Sequence, residues 1–233
     1  MSIFKQFSMG MRLAVLSGTT VLVVAGIALA HGDVLPQAVD TTALPDVGTE
    51  WLTENPYRAD KAGADVWKTA VRIGSSGFNQ NCARCHGLGA ISGGLAPDLR
   101  LLEASADGDE WFVDRFQHGY AQDGVTKMPA FGEVLGQKAG WAIRTYIETR
   151  PEDGALTSHV DRLKAIRDQL AKGEGDAAAL SKELAEIASS VKTASGAPVA
   201  DSVASEAAEL LAGPKPDLVE ISEVLTVGLS AAK

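Results

Sequence analysis

Asn81-Cys82-Ala83-Arg84-Cys85-His86 decides how this 233-residue chain is read. Two thiols three positions apart can add to the two vinyl groups of one porphyrin, and the imidazole directly after the second thiol is then held beneath the iron. The other uses of a Cys-x-x-Cys pair fit worse. A zinc site wants two further ligands at similar spacing, and Cys82 and Cys85 are the only cysteines present. A redox dithiol has no use for the adjoining His86. The motif therefore reads as covalent attachment of one haem c through Cys82 and Cys85, with His86 as an axial ligand of the iron.

Toward the N-terminus, Lys5 and Arg12 are the only charges in the first 30 residues, and an uncharged run from Leu13 ends in Ala28-Leu29-Ala30. Residues 1–30 read as a signal peptide cleaved after Ala30. An uncleaved anchor is the alternative, but about 18 uncharged residues is short for a span, and Ser17, Gly18, Thr19 and Thr20 dilute the run. Export places the expected protein in the periplasm, a compartment suited to haem attachment. The full chain has 21 basic and 30 acidic residues and a net charge of −9, which becomes −11 once residues 1–30 are removed. So acidic a chain lacks the footprint of a nucleic-acid or anionic-membrane binder. It suits salt-sensitive association with a partner that presents basic groups.

Removal of residues 1–30 also takes Met1, Met9 and Met11, which leaves Met128 as the only methionine. Met128 lies 42 residues after His86 and directly before Pro129, which stiffens the backbone. It is the expected second axial ligand, completing an imidazole/thioether pair that raises the reduction potential and leaves no open iron position. His118, which shares a helical face with Trp111 and Arg115, is the competing ligand. An iron with an open position would make the chain a haem enzyme or ligand sensor.

Residues 31–150 contain all the aromatics beyond position 30, and residues 151–233 contain none. The expected organisation is a signal at 1–30, an irregular arm at 31–59, a haem-binding domain at 60–150 and a helical extension at 151–233. Helical spacing appears over Ala64 to Ile73, Asp109 to His118 and Lys138 to Thr149, with Asp107 or Asp109 near the start of the second, while Gly87 to Pro97 reads as a glycine-rich loop. No alternating strand is expected, so the fold class is all-α.

Gly74, Phe78, Cys82, Cys85 and His86, then Ala96-Pro97-Asp98-Leu99, then Met128, then a last helix with Trp141 and Tyr146 resemble a class I cytochrome c in motif order. The resemblance covers about residues 60–150. It implies that Gly74 and Tyr146 mark the crossing of the first and last helices, that the Pro97 carbonyl accepts the ring N–H of His86, and that Arg100 and Trp111 are candidate partners of the haem propionates. The runs Asn81 to Arg100, Asp109 to Phe112 and Lys127 to Phe131 are further similar to soluble periplasmic cytochromes c that accept electrons from PQQ-dependent alcohol (ethanol) dehydrogenases. That similarity implies an electron-transfer protein and no enzyme, with such a dehydrogenase as donor and a terminal oxidase or another cytochrome as acceptor. A different periplasmic dehydrogenase is the alternative donor.

In residues 151–233, Leu156, Val160, Leu163, Ile166 and Leu170 recur at helical spacing, as do Leu180, Leu184, Ile187 and Val191. Short amphipathic helices are expected to pack on one another or on the haem domain, with partner docking as the alternative. No ligand cluster appears there.

Overall fold

The computed structural model describes residues 36–200 and 202–231; the expected signal peptide and the expected cleavage site lie outside them. The described helices are α1 (Ala59–Ala62), α2 (Ala64–Asn81), α3 (Ala83–His86), α4 (Ala106–His118), α5 (Gly132–Glu148), α6 (Val160–Ala171), α7 (Ala177–Ser190), α8 (Val203–Leu211) and α9 (Leu218–Ala231). None is long and apolar enough to cross a membrane.

The pairing of α2 with α5 organises the first part. A Cβ built on Gly74 lies 1.9 Å from the Ala142 carbonyl oxygen and 2.9 Å from the Tyr146 Cβ, so only glycine lets the two backbones approach this closely. One turn further along α2, the rings of Phe78 and Tyr146 meet at 5.4 Å between centroids. One face of this pair, with α4, buries Phe78, Phe112, Phe116 and Phe131. The other buries Trp141, Ala70 and Ile73 against the arm, which contributes Leu44 and Tyr57.

The arm is irregular but anchored. The Gln137 side-chain amide donates to the carbonyls of Gly48 at 2.7 Å and Glu50 at 2.9 Å, and its oxygen accepts from the Leu52 N–H at 3.2 Å. A buried ionic cluster ties the same segment to α4 and α5. Arg58 Nη2 donates to Asp109 at 2.7 Å and to Glu148 at 2.9 Å, Arg144 Nε donates to Asp109 at 2.9 Å, and the Asn55 N–H donates to Asp109 at 2.8 Å. Asp109 and Arg144 are wholly buried. Burial pushes the Glu148 carboxyl above its usual range and the Arg144 guanidinium below its own. Asp109 is thus a core residue, and the cap of α4 is Ser105, whose hydroxyl accepts from the Gly108 N–H at 3.2 Å.

Between α4 and α5 the chain forms a small antiparallel hairpin, β1 (Tyr120–Gln122) with β2 (Val125–Met128). Its turn is Asp123-Gly124, with φ of 52° and 75° at the two residues. Asp-Gly is a favoured pair for the two-residue turn that needs positive φ twice. Among the described residues this hairpin forms the one two-stranded sheet.

Beyond Pro151, α6 to α9 enclose a second apolar core of aliphatic side chains, with Leu163, Ile166, Leu170, Leu184 and Leu225 buried at its centre. The starts of α7, α8 and α9 are capped by side chains. Asp176 accepts from Ala178 N–H at 2.9 Å, Ser202 and Ser205 form a reciprocal capping box, and Asp217 accepts from Val219 N–H at 3.0 Å. This part meets the rest through backbone and side chains: the Ala104 N–H donates to the Ser195 carbonyl at 3.0 Å, and Arg100 pairs with Asp153 at 2.8 Å.

Candidate haem site

Cys82 is the residue on which α2 ends, and α3 consists of the four residues Ala83 to His86. The Cys85 and His86 N–H groups both donate back to the Cys82 carbonyl, at 3.1 and 3.0 Å. The motif is therefore one tight turn at the end of a helix whose position is set by Gly74. Cys85 is exposed and Cys82 half-buried. Burial, and secondarily the charge of Cys85, push the Cys82 thiol up to about 12. A redox dithiol that attacked through Cys82 would need the opposite, a lowered thiol.

His86 is buried to 9% exposure, and its Nδ1 lies 3.0 Å from the Pro97 carbonyl oxygen. A carbonyl can only accept, so the ring proton sits on Nδ1 and the Nε2 lone pair is left as a donor. Pro97 is positioned by the turn after it, where Asp98 accepts from the Arg100 N–H at 3.1 Å and caps Leu99–Leu101.

Met128 closes β2, half-buried, against the same apolar cluster that Cys82 and Ala83 join. The structure thus brings the start of the Cys-x-x-Cys-His turn and the methionine to one aromatic-rich core. His118 points elsewhere: its side chain is 70% exposed, with Nδ1 3.2 Å from the Asp114 carboxylate. Trp111 is also turned outward, with the Arg115 guanidinium 5.7 Å from its ring. Arg100 is buried, but its N–H groups go to carboxylates, to Asp98 at 2.7 Å and Asp153 at 2.8 Å. Nearby carboxylates thus engage Arg100, and Trp111 faces solvent.

Sequence reasoning passed over Arg150. It is buried, its guanidinium lies 4.1 Å from the Tyr146 ring centroid, and with Arg100 it lines a groove of about 220 Å³ between Gly89 and Ile91 on one side and residues 151–157 on the other. An arginine two residues past a helix end and directly before a proline carries no signal separating it from a solvated surface residue. The apolar side chains Leu88, Ile91, Leu95 and Leu101 stand exposed on the loop after His86. A loop that shows this much apolar surface beside a histidine with a free Nε2 fits a large flat ligand with a metal at its centre.

The chain is 54% identical over 137 residues to cytochrome c550 of Pseudomonas aeruginosa, an alignment that takes in 90% of that relative and 59% of this chain. The chain belongs to the class I cytochrome c family. Residues 69–147 of the cytochrome also match the family model described as cytochrome c oxidase, cbb3-type, subunit III. Over 91 residues it is 33% identical to the quinohemoprotein alcohol dehydrogenase ADH IIB of Pseudomonas putida, covering 38% of this chain but 12% of that protein. Over 128 residues it is 31% identical to the cbb3-type cytochrome c oxidase subunit FixPc of Rhizobium leguminosarum bv. viciae, covering 46% of this chain and 42% of that subunit. No solved structure matches at comparable significance. As a member of the family, this cytochrome carries covalently bound haem c and is an electron-transfer protein.

Proposed function

We propose that the cytochrome is a periplasmic one-electron carrier that takes electrons from a PQQ-dependent alcohol dehydrogenase and passes them to a terminal oxidase or a second cytochrome. Cys82 and Cys85 hold the haem, His86 and Met128 ligate its iron, and Pro97 orients His86. The observation that carries the site reading is the 3.0 Å contact from His86 Nδ1 to the Pro97 carbonyl, which presents Nε2 as the free donor.

Bound haem supplies a reversible ferric/ferrous couple. The chain's own part is to tune and protect that couple. Pro97 fixes the ring tautomer and makes the imidazole a stronger donor. The Met128 thioether, a soft ligand, favours the ferrous state. Phe78, Phe112, Phe116 and Phe131 keep water from the core, so little polar surrounding must reorganise when the charge changes.

The donor and acceptor rest on similarity to proteins whose names include an alcohol dehydrogenase and oxidase subunits. Stopped-flow reduction of the oxidised cytochrome by PQQ-dependent ethanol dehydrogenase tests this. A rate no faster than with an unrelated dehydrogenase removes the partner and leaves the carrier. The ligand pair is tested by a near-infrared sulfur-to-iron band in the ferric protein that disappears in Met128→Ala. A high-spin ferric spectrum in the unmutated protein would favour a haem enzyme or ligand sensor instead. N-terminal sequencing of the exported protein should begin at His31.

A further inference from the structure

The contacts of Arg100 run in one line from the candidate axial histidine to the C-terminal extension. His86 Nδ1 donates to the Pro97 carbonyl at 3.0 Å. The next residue, Asp98, is gripped by Arg100: Oδ1 accepts from the Arg100 Nε at 3.0 Å and from its backbone N–H at 3.1 Å, and Oδ2 accepts from Nη2 at 2.7 Å. Such a fork fixes the two groups in orientation as well as distance. On its other side, Arg100 Nη1 donates to Asp153 Oδ1 at 2.8 Å and to the Pro151 carbonyl at 3.3 Å. Those two residues open the extension and are held by it, because Pro151 bridges Thr193 and the Glu152 N–H donates to the Lys192 carbonyl at 3.0 Å. The loop that carries Pro97 is fastened again at its far end, where the Ala104 N–H meets the Ser195 carbonyl. Arg100 is 5% exposed, so water competes poorly for its fork with Asp98, while its partner Asp153 is open to solvent.

We infer that Arg100 is a positioning residue that holds the Pro97 carbonyl on His86 by clamping Asp98 to residues 151–153, and that through this clamp the C-terminal extension sets the reduction potential of the haem. The inference rests on His86 being an axial ligand. An imidazole whose Nδ1–H is firmly accepted gives more electron density through Nε2 and favours ferric iron. A Pro97 carbonyl free to drift weakens that donation and favours ferrous iron. Arg100→Lys keeps the charge but cannot make the planar fork, and so separates position from charge.

The test is a potentiometric titration of the full-length, haem-loaded protein, together with hydrogen exchange at His86 Nδ1 followed by NMR, for Arg100→Lys, Asp153→Asn and Glu152→Gln. In Arg100→Lys the ferrous-to-ferric ratio at a fixed ambient potential is expected to rise roughly threefold and exchange to accelerate. Asp153→Asn, at an 80% exposed side chain, is expected to move both readings the same way by less. Glu152→Gln removes a neighbouring charge outside the clamp, and its exchange is expected to stay at the wild-type rate. Wild-type potential and exchange in both clamp variants would overturn the inference. So would a change in Arg100→Lys with exchange in Asp153→Asn left at the wild-type rate, since the extension then takes no part. A potential whose pH dependence alters in Arg100→Lys alone would put the guanidinium on a haem carboxylate and also overturn it. If Arg100→Lys fails to fold, Asp153→Asn decides alone. Failure of the ligand reading is read separately, as a low-spin ferric spectrum that survives His86→Ala.

Discussion

The parts before and after Pro151 solve the same problem, burying an apolar core among helices, with different materials. Residues 36–150 use aromatics, a glycine-mediated helix crossing and buried ion pairs. Residues 151–231 use Leu, Ile, Val and Ala with ordinary side-chain caps. The first core must leave room for a rigid ligand and hold its loops in one register, which calls for close contacts and directional bonds. The second has only itself to fill, and aliphatic side chains at helical spacing suffice.

The sharpest way to break the first core is Gly74→Ala. The new methyl group meets the Ala142 carbonyl oxygen 1.9 Å away, backbone that cannot swing aside, so α2 and α5 must part. The expected cost is at least about 4 kcal/mol, seen as a Tm lowered by roughly 10 °C and a weakened near-ultraviolet CD signal. Every aromatic residue beyond position 30 precedes Pro151, so that signal reports only on the first part. Arg144→Met, which leaves Asp109 with one fewer partner in a wholly buried site, is expected to cost about 3–4 kcal/mol in urea unfolding. Leu163→Ala opens a void in the second core at about 3 kcal/mol. It should lower helical far-ultraviolet CD at intermediate urea while the near-ultraviolet signal of the native protein stays unchanged. If that signal falls as well, the two parts unfold together and the contrast drawn here holds for composition alone.

The smallest effect concerns pH. The fork from Arg100 holds the Asp98 carboxyl below its ordinary value of 3.8. A depressed carboxylate contributes stability that is present above 3.8 and is lost as pH falls through the folded value. Urea midpoints of the unmutated protein should therefore decline more steeply below pH 4 than those of Asp98→Asn, whose acid limb is expected to be flatter.

Much of this architecture could be read from residue spacing. The periodicity that predicted helices over Ala64 to Ile73 and Lys138 to Thr149 belongs to α2 and α5; α2 runs on to Asn81, whereas the turn that precedes Lys138 in α5 is set off from it by a non-helical Gly136 at φ 73°. The hairpin at Tyr120–Met128 was legible in principle from Asp123-Gly124, but its strands are exposed and short and show no alternation. The ionic cluster was not legible. Arg144 and Glu148 stand four apart on a helix, the spacing of an ordinary surface pair, and only packing of the arm and α4 over them makes them core. Nor were the carboxylate partners of Arg100 legible, because positions 98 and 153 are supplied by a turn and by a remote segment.

By itself the sequence determined the chemistry of attachment, because Cys82, Cys85 and His86 are adjacent and their joint use needs no more than a turn. It also determined the helical periodicity and the change of composition at residue 150. Only the tertiary structure decided which polar groups are partners. It placed the Pro97 carbonyl on His86, put Met128 and Cys82 against one core, turned His118 outward and bound Arg100 between Asp98 and the extension. The physical reason is range. Covalent geometry and periodicity act over a few residues, whereas a hydrogen bond is chosen by whatever the folded chain brings within 3 Å, from however far along the sequence it comes.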